Sequence, residues 1–315
     1  MRIDTHRHLG GSIPPAWVWE TIQRRGWYYL AETYDDVKKT MVYGHDEPRN
    51  FYRFLDKFKI LDEIIWDEEL IDSSIESIAK EINRDSLDFV WLDFSINKYM
   101  HQMKWSKKDA VKFIYHSFQQ HIPGKVGLIL SLKYESMRAG QKQYSKLIED
   151  PEIAEILFGI DLVGDEAYFD AEFYRPIFAE WNNAGKMTRA HVAESQTAMN
   201  AYEAITVMKV TNIAHGIKIC EEPDIISAAI DNDITFDLGI TSNFFTGVVG
   251  RDEHPVTKML NNGLRLTLGT DDPIQCNTTL DDEFLSASRY GVAEYQHSIL
   301  KKMAEENTRK YLKRL

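Results

Sequence analysis

Short apolar runs recur along the chain, and segments with helical periodicity fill most of the intervals between them. RIDTHRH (2–8), DFVWLDFSI (88–96), KVGLILSLK (125–133) and LFGIDLVG (157–164) each have the length and composition of a buried strand. MTRAHVAE (187–194), TNIAHG (211–216), DITFDLGI (233–240) and GLRLTLGTDD (263–272) repeat the habit. Strands alternating with helices in this way predict an α/β fold, a (β/α)8 barrel. A doubly wound open sheet shares the alternation, which does not by itself show closure.

The first connection, about residues 9–87, is unusually long and places Phe54, Leu55, Phe58, Leu61, Ile64 and Ile65 at helical spacing. It predicts a long helical insertion after the first strand, partly covering the barrel mouth and partly filling its own core. Residues 293–315 read as a solvated helical end whose cationic last turn suits the helix dipole. No repeat, low-complexity tract or Pro-rich linker interrupts the 315 residues, so a single domain over 1–315 is expected.

Composition narrows the partners. Lys and Arg total 37 against 49 Asp and Glu, a net charge of -12, and such a field repels nucleic-acid polymers. No apolar run approaches the roughly 20 residues of a membrane span, so no membrane partner is expected. Arg2 and Asp4 open a chain without an apolar signal core, which predicts a cytoplasmic location. Cys220 and Cys276 lack the spacing of a disulfide framework or a cysteine-based zinc site, and nothing in the pattern specifies an oligomeric state.

In a barrel, chemistry sits at the C-terminal ends of the strands. His6 and His8, two apart on the first predicted strand, share a face and offer two imidazoles to one point. His191 ends the fifth strand with Glu194 just beyond, His215 ends the sixth, and Asp271 and Asp272 end the eighth. Three imidazoles and a carboxylate suit a zinc ion that keeps one position open for water. The groups left over would serve as acid, base and orienting groups. The set is neither H-x-E with P-C-x-x-C nor HExxH, and GIDLVGDE offers no lysine on strand four to bridge two metals.

THRHLGGS, GIDLVGDE, HVAES, NIAHGI, SNFFTG and HPVTKMLNNGLRLTLGTDDP, spread in this order from residue 5 to residue 273, resemble the successive motifs of the adenosine/AMP deaminase family. The resemblance implies one zinc ion per chain, bound by His6, His8, His191 and Asp271, and a small-molecule purine substrate. It gives Glu194 the role of donating a proton to the purine N1, and His215 that of orienting and deprotonating the attacking water. Asp272 would bond the ring N7 or the attacking hydroxide, the Gly164 backbone would meet N3, and His8 would adjoin the substrate. The implied reaction is hydrolytic: water adds to C6 and the amino group leaves as ammonia.

Some positions depart from the family pattern. Gly10 stands where nucleoside-specific members carry an acidic residue that reaches the ribose, and Asp93 where many members have an arginine. Ile240-Thr241 replaces a common Cys-Pro. The 5′ end of the substrate is therefore the divergent part, with Arg7, Lys98, Lys133 and Arg138 as candidate cations near it. Two other functions fit the residues: hydrolysis of a non-purine C–N or ester bond at the same centre, and a retired nucleoside-binding protein. Glu194, His215 and Asp272 are all retained, which speaks for catalysis.

Overall fold

All eight apolar runs are strands in the computed structural model of the chain, which describes residues 1–44, 46–134, 144 and 146–312. They are β1 (Ile3–His8), β2 (Phe89–Phe94), β3 (Val126–Lys133), β4 (Leu157–Val163), β5 (Met187–Val192), β6 (Asn212–His215), β7 (Thr235–Leu238) and β8 (Arg265–Leu268). Each pairs in parallel with the next in sequence order. Arg7 bridges to Asp271 just past β8, where Asp271 N donates to His6 O at 2.6 Å and His8 N to Asp271 O at 2.8 Å. These bonds join the first strand to the last and set aside the open sheet.

Central strands are buried on both faces, as a parallel sheet covered by helices requires. The main apolar layer lies between sheet and helices. A smaller cluster of Ile3, Phe89, Trp91, Ile129, Phe158 and Met187 fills the N-terminal ends of the strands. The last helix, Glu294–Leu312, packs there and is not simply a solvated end. Leu300, Ala304, Thr308 and Tyr311 fall on one stripe at spacings of three and four, and that stripe is buried, with Trp91 Nε1 donating to Thr308 Oγ1 at 2.9 Å.

The first connection is helical as expected: Pro15–Arg25, Tyr34–Met41, Phe51–Leu55, Lys59–Glu63 and Glu68–Arg84. Thr33 and Asp36 form a capping box, Asn50 caps Phe51–Leu55, and Asp67 caps the last helix. Trp17 stacks on Trp66 at 5.6 Å between ring centroids, tying the insertion together. Phe54, Leu61 and Ile64 are buried, whereas Leu55 and Ile65 stay exposed and Phe58 is half-buried. Among the described residues no helix is long and apolar enough to cross a membrane.

Candidate active site

The strand ends carry the chemistry to one place. His8, Gly164, His191, Glu194, His215, Asp271 and Asp272 line a single cavity of about 630 Å³, with His6 fully buried behind them. The residues expected from the sequence as metal ligands, acid–base groups and purine contacts are thus brought together. Ala193, His215 and Asp271 adopt the left-handed conformation, with φ of 54°, 62° and 59°, as the chain leaves β5, β6 and β8. Such backbone costs on the order of 1–3 kcal/mol at each non-glycine residue and persists where the surroundings over-determine it.

His6, His191, His215 and Asp271 offer ligand atoms that all lie within 4.8 Å of one another. His8 lies just outside this tightest group, its Nε2 3.1 Å from Asp271 Oδ1. The outer nitrogens reveal the proton positions. His6 Nδ1 faces the Asp237 carbonyl at 3.2 Å, and His191 Nδ1 faces Asp161 Oδ1 at 3.2 Å. Both partners are acceptors, so each neutral ring carries its proton on Nδ1 and a lone pair on Nε2. Those two lone pairs confront each other, Nε2 to Nε2, at 3.0 Å. A cation between them removes the repulsion, and ligands about 2.0–2.1 Å from a tetrahedral ion would stand at about this separation. The donor set therefore fits a metal ion.

A charged layer beneath this point went unassigned in the sequence. Arg189, two residues before His191 and therefore on the same face of β5, is wholly buried. Its guanidinium donates to Asp161 at 2.6 Å, to the Thr5 carbonyl at 2.8 Å, to Asp237 at 3.2 Å and to Asp93. It thus grips Asp161, which orients His191, and also Asp237, whose own carbonyl orients His6. Asp93 finds its cation on β5, across the barrel from its own strand. Ion pairing at this depth needs every partner in place.

On the other side of the donor set, burial, with Asp271 next in weight, pushes Glu194 up to about 8, so it holds a proton at neutral pH. Burial and then Asp271 likewise raise Asp272 well above the usual carboxylate range. Burial opposes ionisation of Asp271, but His6 and the bond from His8 outweigh it and hold that carboxyl well below its ordinary range. The loop bearing Glu194 is fastened by Glu166, which accepts from the backbone N–H groups of Ala193, Glu194, Ser195 and Gln196 at 2.5–3.2 Å. GIDLVGDE contains both Asp161 and Glu166, so the motif was visible although their roles were not. Gly11 permits the close approach of Asp272: a Cβ there would lie 2.0 Å from Asp272 Oδ1.

Residues 2–311 match the family described as Adenosine deaminase. The chain belongs to the adenosine deaminase family. It is 22% identical to an adenosine deaminase of Shewanella denitrificans, over 96% of this chain and 92% of that one. It is 24% identical to an aminodeoxyfutalosine deaminase of Acidothermus cellulolyticus, over 100% of this chain and 90% of that one. Arabidopsis ADAL, solved in complex with GMP, superposes with a TM-score of 0.79 at 18% identity, covering 96% of this chain and 90% of that one. Membership makes the protein an aminohydrolase and sets aside the retired nucleoside binder.

Proposed function

We propose that this member of the family removes the 6-amino group of an adenosine-like purine by hydrolysis, with one zinc ion held by His6, His8, His191 and Asp271. The observation that carries the reading is the pair of opposed Nε2 atoms of His6 and His191, 3.0 Å apart, beside a cavity that Glu194 also lines. When bound, zinc lowers the pKa of a water toward neutrality. Glu194 gives its proton to N1, which makes C6 electron-poor. His215 and Asp272 flank the attacking water, the Gly164 backbone meets N3, and His8 adjoins the substrate. Water adds to C6, the C6–N bond breaks, ammonia leaves and the 6-oxo purine remains.

The 5′ end of the substrate has room. Gly10 does not have a positive φ, and a Cβ there would touch only the Phe58 ring, at 3.6 and 3.8 Å, so the backbone does not demand glycine. Its lack of a side chain opens the cavity toward Phe51, Leu55 and Phe58. Of the candidate cations, Lys98 and Lys133 line this cavity, while Arg7 is buried between Asp4 and Asp85. Arg138 lies outside the described residues. These features favour a nucleoside substituted at the 5′ position.

The test is ammonia release from adenosine, adenine, AMP and a 5′-thioether analogue, with elemental analysis of the same sample. About one zinc per chain and turnover of at least one 6-aminopurine are expected. Active protein without metal would overturn the zinc centre, and ammonia released only from non-purine amines would overturn the substrate class.

A further inference from the structure

We infer that Asn243, locked in one orientation by His254, dictates which atom of His215 and which atom of Glu194 holds a proton, and that His254 is a positioning residue. The roles of His215 and Glu194 rest on the proposed deamination, whereas the proton placement rests on the hydrogen bonds together with the burial that keeps His254 neutral.

The chain of bonds has one consistent direction. Val256 N–H donates to His254 Nδ1 at 3.2 Å, so that nitrogen carries a lone pair. Burial keeps His254 neutral, pushing it down to about 3, and its single proton therefore sits on Nε2. That Nε2 faces Asn243 Oδ1 at 3.2 Å, which identifies the oxygen end of the amide. The nitrogen end then spends its two N–H groups separately: one on His215 Nδ1 at 3.0 Å, the other on Glu194 Oε1 at 3.1 Å. His254, Asn243 and His215 are all buried, so no water competes for these positions.

Two consequences follow at the reacting face. Since His215 accepts at Nδ1, its neutral ring carries the proton on Nε2, which stands 3.7 Å from both Glu194 Oε2 and Asp271 Oδ2. His215 thus presents an N–H toward the donor set where His6 and His191 present lone pairs. Distance places it among the four nearest ligand groups; its proton excludes it as a ligand and leaves that position to His8. For Glu194, Oε1 is taken up by the Asn243 N–H, so the acidic proton sits on Oε2. A His215 of this tautomer orients the attacking oxygen as a hydrogen-bond donor and does not take its proton.

The decisive measurement is long-range ¹H–¹⁵N NMR of histidine-labelled, zinc-loaded protein. His215 is expected to be protonated on Nε2 in the wild type. In His254→Phe, Asn243 is free to turn, and His215 is expected to shift toward the Nδ1-protonated form. The kcat should then fall about 10- to 100-fold, the usual loss for a removed orienting partner, with KM and zinc content retained. His254→Gln, which can donate to the same oxygen, should restore most of the rate. If His254→Phe does not fold, Asn243→Asp supplies an acceptor opposite Nδ1 and should reverse the tautomer by itself. A wild-type His215 protonated on Nδ1, or a tautomer unmoved in these variants, overturns the inference. The expected tautomers in a protein that releases no ammonia from any purine would count against the proposed substrate and leave the proton placement standing.

Discussion

At the floor of the cavity His6, His191 and Asp271 are fastened by neighbours from several strands, whereas at its mouth Phe51, Leu55 and Phe58 stand on or beside two helices of five residues each. On the floor, the outer nitrogens of His6 and His191 both have partners, and strained backbone at Ala193, His215 and Asp271 is held in place. At the mouth, Leu55 is 39% exposed, and the Phe51–Leu55 helix is held by the buried Phe54, packed with Tyr43, Phe245 and Cys276, and by an exposed bond from Tyr52 Oη to Asp165 Oδ2 at 3.2 Å. The floor leaves a metal centre almost no freedom, while the mouth constrains the substrate mainly by apolar shape. Divergence within one family is therefore cheapest at the mouth, and Gly10 lies there.

The comparison can be broken most severely at Glu194. Glu194→Gln should retain zinc and lose about 10²- to 10⁴-fold in turnover, because an amide has no acidic proton for N1. Near-full activity would remove Glu194 from the chemistry. Below it, Arg189→Met leaves Asp93, Asp161 and Asp237 without their shared cation. Breaking a buried pair costs about 3–5 kcal/mol, which urea unfolding would register. A loss near zero would show that the floor is not held from below.

At the mouth the effects should be smaller and depend on the substrate. Gly10→Asp is expected to shift kcat/KM toward plain adenosine over a 5′-deoxy or 5′-thioether analogue by roughly 10- to 150-fold, the worth of one hydrogen bond to a charged group. If the wild type already prefers adenosine by more than about a hundredfold, the open-mouth reading fails. Two adjacent glycines then separate the regions within one turn. Gly11→Ala drives a methyl into Asp272 and should destabilise by about 1–3 kcal/mol, whereas Gly10→Ala meets only the Phe58 ring and should stay within about 0.5 kcal/mol. Equal thermal stability of the two variants would erase the distinction.

The smallest effect is an absence of change. With its pKa pushed down by burial to about 3, His254 should show no titration between pH 5 and 8 in its ¹⁵N shifts, so the proton pattern around Asn243 persists across that range. A midpoint inside that window would show that the pattern opens to solvent.

Taken alone, the amino-acid order determined whatever depends on short-range periodicity. The two-residue repeat of a strand puts His6 and His8 on one face, and the succession of apolar runs defines eight strands and the polar residues that end them. The family motifs extended this to Glu194, His215, Asp271 and Asp272, and all of them meet in one cavity. The solvated reading of the last helix failed because a stripe of Leu300, Ala304, Thr308 and Tyr311 is diluted by charge along the sequence and becomes apolar only in projection. Closure of the barrel, the meeting of Arg189 with three aspartates from other strands, and the line from His254 through Asn243 to His215 were decided by tertiary structure alone. Such pairings depend on strand register and on which loops meet above the barrel, and a hydrogen bond between residues far apart in the chain leaves no periodicity in either segment to read.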